Sequence, residues 1–399
     1  MIRGNAATHL VSAQGLLTKV TDGLGLDDFG DERFVDDYTR ALTAINEEVA
    51  LSSTGVAILE EMVSRMLTNR LRMQRDLKAH PEIRDEVLAP PIVITGFARS
   101  GTTKLQRMIS VSPRVQSLAL WRLLNPAPFP GAATNVADPR IAWTQEVARM
   151  TQQMFPHIWA AHPTPALDAE EDFLLQDMTF IAPTVPMRVG ARRYLEALTP
   201  IDDRVYAFLR TVLQYLQWQD GSPDRASRPW ILKSPIHIGN LLALQRIFPG
   251  AKIVHSHRDV DVAMASLSSL DRISRSMFAD TLNLKSIGSG TLAYWGREWA
   301  RNLEQRAHLV PRSYCDVSFA DINRNAMAVI ERVHAFAGLE LDSRARAAML
   351  QWEANNPRHQ GGRHVYSAAD YGLTSSRVRD AFAAYFAYFA DKEIIGARV

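Results

Sequence analysis

Cysteine is almost absent. Cys315 alone among 399 residues leaves no intramolecular disulfide and no multi-cysteine zinc site, and it fits a reducing compartment. Long apolar runs are missing too: no stretch of about eighteen apolar residues offers a membrane span. The opening MIRGNAATHLVSAQGLL lacks the uninterrupted apolar segment of a secretion signal. The expectation is a cytoplasmic protein with no membrane insertion. Nor is there surplus charge. Lys and Arg total 45 against 43 acidic residues, a net of +2, which is too little for a general nucleic-acid or acidic-membrane binder. Basic character must therefore be concentrated in a site. No internal repeat and no low-complexity tract is present.

The length exceeds one typical core, so a large α/β domain with helical additions, or two domains, is expected. From about residue 35 to 78, Val56, Leu59, Met62, Val63, Met66 and Leu67 recur at spacings of three and four with charges between them, the mark of amphipathic helix. Pro90-Pro91 then delivers the chain, extended, into an apolar run at Ile92-Val93-Ile94-Thr95. Further strands are expected at 230–232 and 252–256, each followed by a helical pattern, and residues 125–228 and the C-terminal third read as mostly helical. Apolar strands alternating with helices imply a parallel sheet with both faces covered. The reading is an α/β fold: residues 1–88 form a helical extension packed on the core, and residues 89–399 an α/β domain with a helical insertion at about 125–228.

The chemistry concentrates after the first strand. Gly96 through Gly101 to Thr102-Thr103 follows G-x-x-x-x-G, where glycines let the backbone turn and aim amides at an anion as a helix begins. A nucleotide triphosphatase loop would continue with Lys and then Ser or Thr. Here Thr102 holds the lysine position, the loop's own cation is Arg99, and Lys104 comes two residues late. That difference counts against an ATP or GTP hydrolase while keeping an anion-holding loop. A second anion feature is Arg258, at the expected end of the 252–256 strand, with Ser266 eight residues on, a spacing that lets both face the crevice where open α/β sheets bind ligands. The plain alternative pairs Arg258 with Asp259. A basic loop at 356–364 is either solvated or in contact with the same anion.

The combination resembles the PAPS-dependent sulfotransferase superfamily (PAPS, 3′-phosphoadenosine 5′-phosphosulfate). In particular it is similar to a bacterial sulfotransferase-like family with a long N-terminal helical part, whose members share Gly-Leu-Asp-Asp-Phe-Gly (25 to 30), Leu-Lys-Ser-Pro-x-His (232 to 237) and Arg-His-x-Tyr (363 to 366). The resemblance covers almost the entire chain. It implies a P-loop-like fold that passes a sulfuryl group from PAPS to a hydroxyl or amine of a small-molecule acceptor, with no metal. Arg99, Ser100, Gly101, Thr102 and Thr103 would hold the 5′-phosphosulfate; Arg258 and Ser266 would hold the 3′-phosphate, and Arg363 lies in the terminal motif that joins them.

Sulfuryl transfer, like phosphoryl transfer, places growing charge on the leaving phosphate, so positioning and cations carry most of the catalysis. Arg99 and Lys233 are the candidates. The acceptor's proton must also be removed. His237, four residues after Lys233, is one candidate base, although related cytosolic enzymes carry their histidine two residues after the lysine, where this chain has Pro235. Glu170 and Glu171 are rivals, set against a plain capping box formed by Asp168 and Glu171. His162 is a further one. Many relatives carry Trp-Glu where this chain has Trp121-Arg122. Arg122 is no base, so it either recruits an anionic acceptor or lies on the surface. Phe155, Trp159, Phe173, Phe180 and Tyr194 are candidates for an acceptor pocket or for core. Two other readings remain open at this point: a P-loop kinase or nucleotide hydrolase using Asp259 for magnesium, and a catalytically idle nucleotide-binding protein.

Overall fold

The computed structural model describes residues 10–97, 99–131, 137–357 and 366–390. Five parallel strands form one sheet in the order β2-β3-β1-β4-β5: β1 (Ile92–Gly96), β2 (Gln116–Ser117), β3 (Trp230–Lys233), β4 (Lys252–His257) and β5 (Tyr314–Ser318). The chain builds β2 and β3 on one side of β1 and then crosses to lay β4 and β5 on the other. Loops leaving the carboxyl ends of β1, β3 and β4 therefore converge on one crevice, the usual ligand position in such sheets.

The three expected strands are present. The two additional ones have no apolar run to announce them: β2 is two residues long, and β5, Tyr-Cys-Asp-Val-Ser, alternates polar and apolar residues at the sheet edge. The C-terminal third is thus not wholly helical.

Alternation along the strands assigns each side chain to a face. Ile92, Ile94, Ile231, Val254 and Val317 pack with Leu105, Met108 and Ile109 of α4 (Thr102–Ser110). Val93, Leu232 and Ile253 face the other way. There they join one apolar cluster with residues of the N-terminal helices α1 (Ala13–Leu24), α2 (Phe34–Glu48) and α3 (Ser53–Ala79) and of α5 (Asp203–Asp220). The helical stretch expected at 35–78 is in fact two helices, because Ser52 accepts the Gly55 N–H and starts α3 afresh. Leu59, Val63 and Leu67 of α3 share one continuous apolar cluster with Val205, Leu209 and Leu213 of α5 and with the sheet. Arg70 adds a polar tie, donating to the carbonyls of Phe29 and Met178.

A third cluster joins Phe97, just past β1, to α6 (Val260–Arg275), α7 (Leu284–Arg306) and the C-terminal residues Phe382, Tyr385 and Phe389. Beside it lies a buried polar network. Asp316 of β5 accepts from Arg306 at 2.6 and 2.9 Å and pairs with His257 at 2.8 Å, while Tyr385 meets the other nitrogen of His257 at 2.9 Å. Arg306 also meets His255, whose second ring nitrogen lies 3.1 Å from the Asn302 amide. Among the described residues, no helix is long and apolar enough to cross a membrane.

Candidate active site

Gly96 ends β1 at φ 143°, and a β-carbon there would lie 2.2 Å from the Ser256 carbonyl oxygen. Only glycine allows β1 and β4 to run this close as the chain turns. Arg99 and Gly101 follow in left-handed conformations, at φ 68° and 85°, and Gly101 caps α4. The first amides of α4 thus open toward the crevice without intrahelical partners.

Ser100 turns inward. Its N–H and its hydroxyl both donate to the Phe97 carbonyl, and its own carbonyl accepts from the Ser256 hydroxyl at 2.6 Å. Lys104 leaves the loop altogether for Glu353, 2.5 Å away. Arg99 donates to the Ala161 carbonyl at 2.9 Å, at the end of the short helix Pro156–Ala161. Arg258, directly after β4, donates to the Arg99 carbonyl at 2.5 Å and lies over the Phe319 ring at 4.3 Å. Asp259 caps α6 by accepting from the Val262 N–H at 2.9 Å. Ser266 is buried about two turns into that helix. Lys233, the last residue of β3, is buried with its ammonium 3.2 Å from the Thr103 hydroxyl. Arg258 and the strand-end lysine therefore both reach the one glycine turn.

A model of the sulfotransferase family matches residues 90–343. The chain belongs to that family. It is a sulfotransferase enzyme, built to transfer sulfuryl groups, and two solved bacterial sulfotransferases resemble it over nearly their whole length. STF1 from Mycobacterium tuberculosis is 27% identical with a TM-score of 0.76, covering 94% of this chain and 100% of its own. STF9 from Mycobacterium avium has the same fold at 23% identity, with a TM-score of 0.84 and 98% of each chain covered. No curated protein matches the sequence.

The sulfotransferase's carboxylates sit against these cations. Glu171 Oε1 lies 2.6 Å from the Lys233 ammonium and Glu170 Oε1 3.5 Å from it. Glu170 Oε2 also takes Arg107 at 3.2 Å and the His162 ring at 3.0 Å. Burial pushes the Glu170 carboxyl up, but His162, Lys233 and Arg107 together hold it well below the usual carboxylate range. His162, Glu170 and Glu171 bring three ligand atoms within 4.8 Å of one another. Lys233 and Arg107 lie against the same carboxylate oxygens. No capping box forms here: Asp168 pairs with Arg107 at 3.0 Å, and the helix begins only at Phe173.

His237 is completely buried. Its Nδ1 meets the Tyr206 hydroxyl at 3.0 Å and its Nε2 meets Asp172, which also accepts the Lys233 N–H at 2.9 Å. Both its nitrogens are engaged inside the core, next to the strand end that carries Lys233. Arg122 is partly buried. It donates to the Leu216 carbonyl and packs near Trp121 and Trp230, and burial, with Arg140 nearby, pulls it down to about 10, still a cation at neutral pH.

Among the aromatics, Phe180 and Tyr194 are core and Phe173 packs on that core, whereas Phe155 and Trp159 stay half-exposed beside the Arg99 anchor. Arg363 lies outside the described residues. Tyr366 of the same motif is near enough to Arg99 to act on its charge. Two participants escaped the sequence reading. Arg107 stands four residues after Thr103, on the same face of α4, and Asp172 ends a run of acidic residues. The first could have been found by that spacing; nothing local marks the second.

Proposed function

We propose that the sulfuryl donor is PAPS and the acceptor a small molecule bearing a hydroxyl or amine. The observation that carries the reading is the 2.5 Å bond from Arg258 to the Arg99 carbonyl, which sets the second anion element directly against the first. The residues fit a ligand with two separated anionic ends. Gly101, Thr102 and Thr103, at the start of α4, and Arg99 would receive the 5′-phosphosulfate, with Ser100 fixing the turn from behind. Arg258 and Ser266 would receive the 3′-phosphate, with Arg363 from the terminal motif as a further contact. The donor supplies an activated sulfuryl group; the protein supplies orientation and positive charge.

Lys233 and Arg99 flank the loop and stabilise the negative charge that grows on the departing 5′-phosphate. Glu171 and Glu170 hold the Lys233 ammonium in place against Thr103. His237 acts through Asp172 and Tyr206 as a positioning residue, not as the base. A nucleotide hydrolase is disfavoured because Lys104 is committed to Glu353 and Asp259 to its helix cap. We also read residues 1–88 as an extension packed on the sulfotransferase unit, which agrees with a family match that begins at residue 90.

The test is heat stability with ligands. 3′-Phosphoadenosine 5′-phosphate at one hundred times its Kd is expected to stabilise the protein by about 2.7 kcal/mol, while ATP with magnesium does not. Stabilisation by ATP with magnesium alone overturns the reading. Turnover of PAPS over a panel of phenols, alcohols and amines then defines the acceptor class.

A further inference from the structure

We propose that His162, held by Glu170, is the group that takes the acceptor's proton. The inference rests on the donor reading above and names the base that reading leaves open. Three observations carry it. First, His162 follows Ala161, whose carbonyl is bound by Arg99, so the end of the short helix is fastened to the anion loop and the imidazole is delivered beside it. Second, Nε2 lies 3.0 Å from Glu170 Oε2, a carboxylate only 3% exposed and held also by Arg107 and Lys233. Third, the His162 side chain is 33% exposed, and among the described residues its Nδ1 has no protein partner.

The rivals are committed elsewhere. His237 is walled in by Tyr206 and Asp172. Glu171 Oε1 is held by Lys233, and Glu170 is shared among Arg107, His162, Lys233 and the Glu171 N–H. Their oxygens are engaged by cations, whereas a histidine whose far nitrogen donates to a fixed carboxylate has its tautomer set and its near nitrogen left as the acceptor.

The step balances as follows. The acceptor oxygen forms its bond to sulfur while the bond from sulfur to the 5′-phosphate oxygen breaks, the electron pair leaving with the phosphate. The acceptor's O–H proton passes to Nδ1 of His162 and then to solvent. Nε2–H stays on Glu170 throughout, and the resulting imidazolium is stabilised by that carboxylate. The charged groups facing the ring are Glu170 and Glu171, with Arg107, Lys233 and, through Arg107, Asp168 behind them. Arg99 and Tyr366 complete the loop side.

The test uses the full-length protein and two variants, His162→Gln and Glu170→Gln. Histidine-labelled protein with bound 3′-phosphoadenosine 5′-phosphate is examined by long-range proton–nitrogen NMR, the His162 signals being identified by their loss in His162→Gln. The expected result is the Nε2–H tautomer, partly lost in Glu170→Gln. PAPS turnover, with the best acceptor of the panel or with water, is expected to fall about 10²-fold or more in His162→Gln, while affinity for 3′-phosphoadenosine 5′-phosphate stays unchanged. An Nδ1–H tautomer, or full turnover in His162→Gln, overturns the assignment. A variant that loses nucleotide affinity in step with rate also overturns it, since His162 would then act only by holding the loop. Failure of the unaltered protein to bind the nucleotide instead defeats the donor reading, and the two failures are told apart by that binding measurement.

Discussion

Replacing Arg258 by alanine separates the two ends of the donor. In the structure its guanidinium does one thing that any nucleotide would feel, donating to the Arg99 carbonyl at 2.5 Å, and it is proposed to do another that only a 3′-phosphorylated nucleotide would feel. The first bond is to a neutral carbonyl, with a net worth of about 0.5–1.5 kcal/mol. Its loss loosens the loop and weakens every ligand by about 2- to 12-fold. The second is charge-assisted, at about 1.5–3 kcal/mol, and removes a further factor of about 10 to 150. Titration calorimetry with 3′-phosphoadenosine 5′-phosphate and with 5′-AMP, on the unaltered protein and on Arg258→Ala, forms a cycle in which the shared loss cancels. Run near 0.1 M salt, where screening already acts over about 10 Å, the cycle should return a coupling of at least tenfold. Equal weakening of both nucleotides would falsify the assignment and leave Arg258 as a brace for the loop alone.

Lys233→Ala should lower kcat by about 10²–10³ with little change in nucleotide affinity, checked by single-turnover kinetics; a pure affinity loss would contradict its role. Tyr206→Phe should destabilise the fold by about 1–3 kcal/mol, because it leaves a buried His237 nitrogen unsatisfied, yet keep kcat close to that of the parent in denaturant titrations and rate assays run side by side. Gly96→Ala should cost about 2 kcal/mol or more, since the site demands positive φ and the methyl meets backbone at 2.2 Å; an unchanged unfolding midpoint would contradict the geometry. Acid should weaken the polar network beside β5. Burial, then Arg306, lowers His255 well below its ordinary value, and Asp316 is held far down by His257 and Arg306 against the effect of burial. Both shifts make the unfolded chain the better proton binder. Stability is therefore highest above about pH 6.5, declines below it as unfolded His255 takes a proton, and declines again below about pH 4 through Asp316. His255→Asn should reduce the first decline, to which the buried His334, also lowered, contributes the remainder, measured by denaturant unfolding across pH.

The central strand and its loop were legible because their causes are local. Pro90-Pro91 forces extension, Ile92 to Thr95 buries both faces, and the glycine spacing states where the backbone must turn. The position of Arg258 was legible for the same reason, as the first residue past an apolar strand. What stayed hidden depends on partners brought from afar. β5 is polar in sequence because Asp316 is satisfied by Arg306 and His257. His237 looked like a base because nothing near it in sequence reveals Tyr206, 31 residues before it, or Asp172, 65 residues before it. Arg122 looked like a surface residue because the Leu216 carbonyl that receives it is 94 residues on. The acidic run 168–172 likewise offered a helix cap by pattern, and only the position of α4 turns it into a cradle for Lys233 and Arg107.

The shared apolar cluster has a practical bearing on how this protein can be divided. Val93, Leu232 and Ile253 belong to the same continuous apolar cluster as Leu59, Val63 and Leu67, so the stretch that matches the family, starting at residue 90, cuts through that cluster. Expressed by itself it should emerge sticky and insoluble, and adding back a separate fragment of residues 1–88 should rescue it. Any minimal version of this catalyst has to begin far upstream of its catalytic loop.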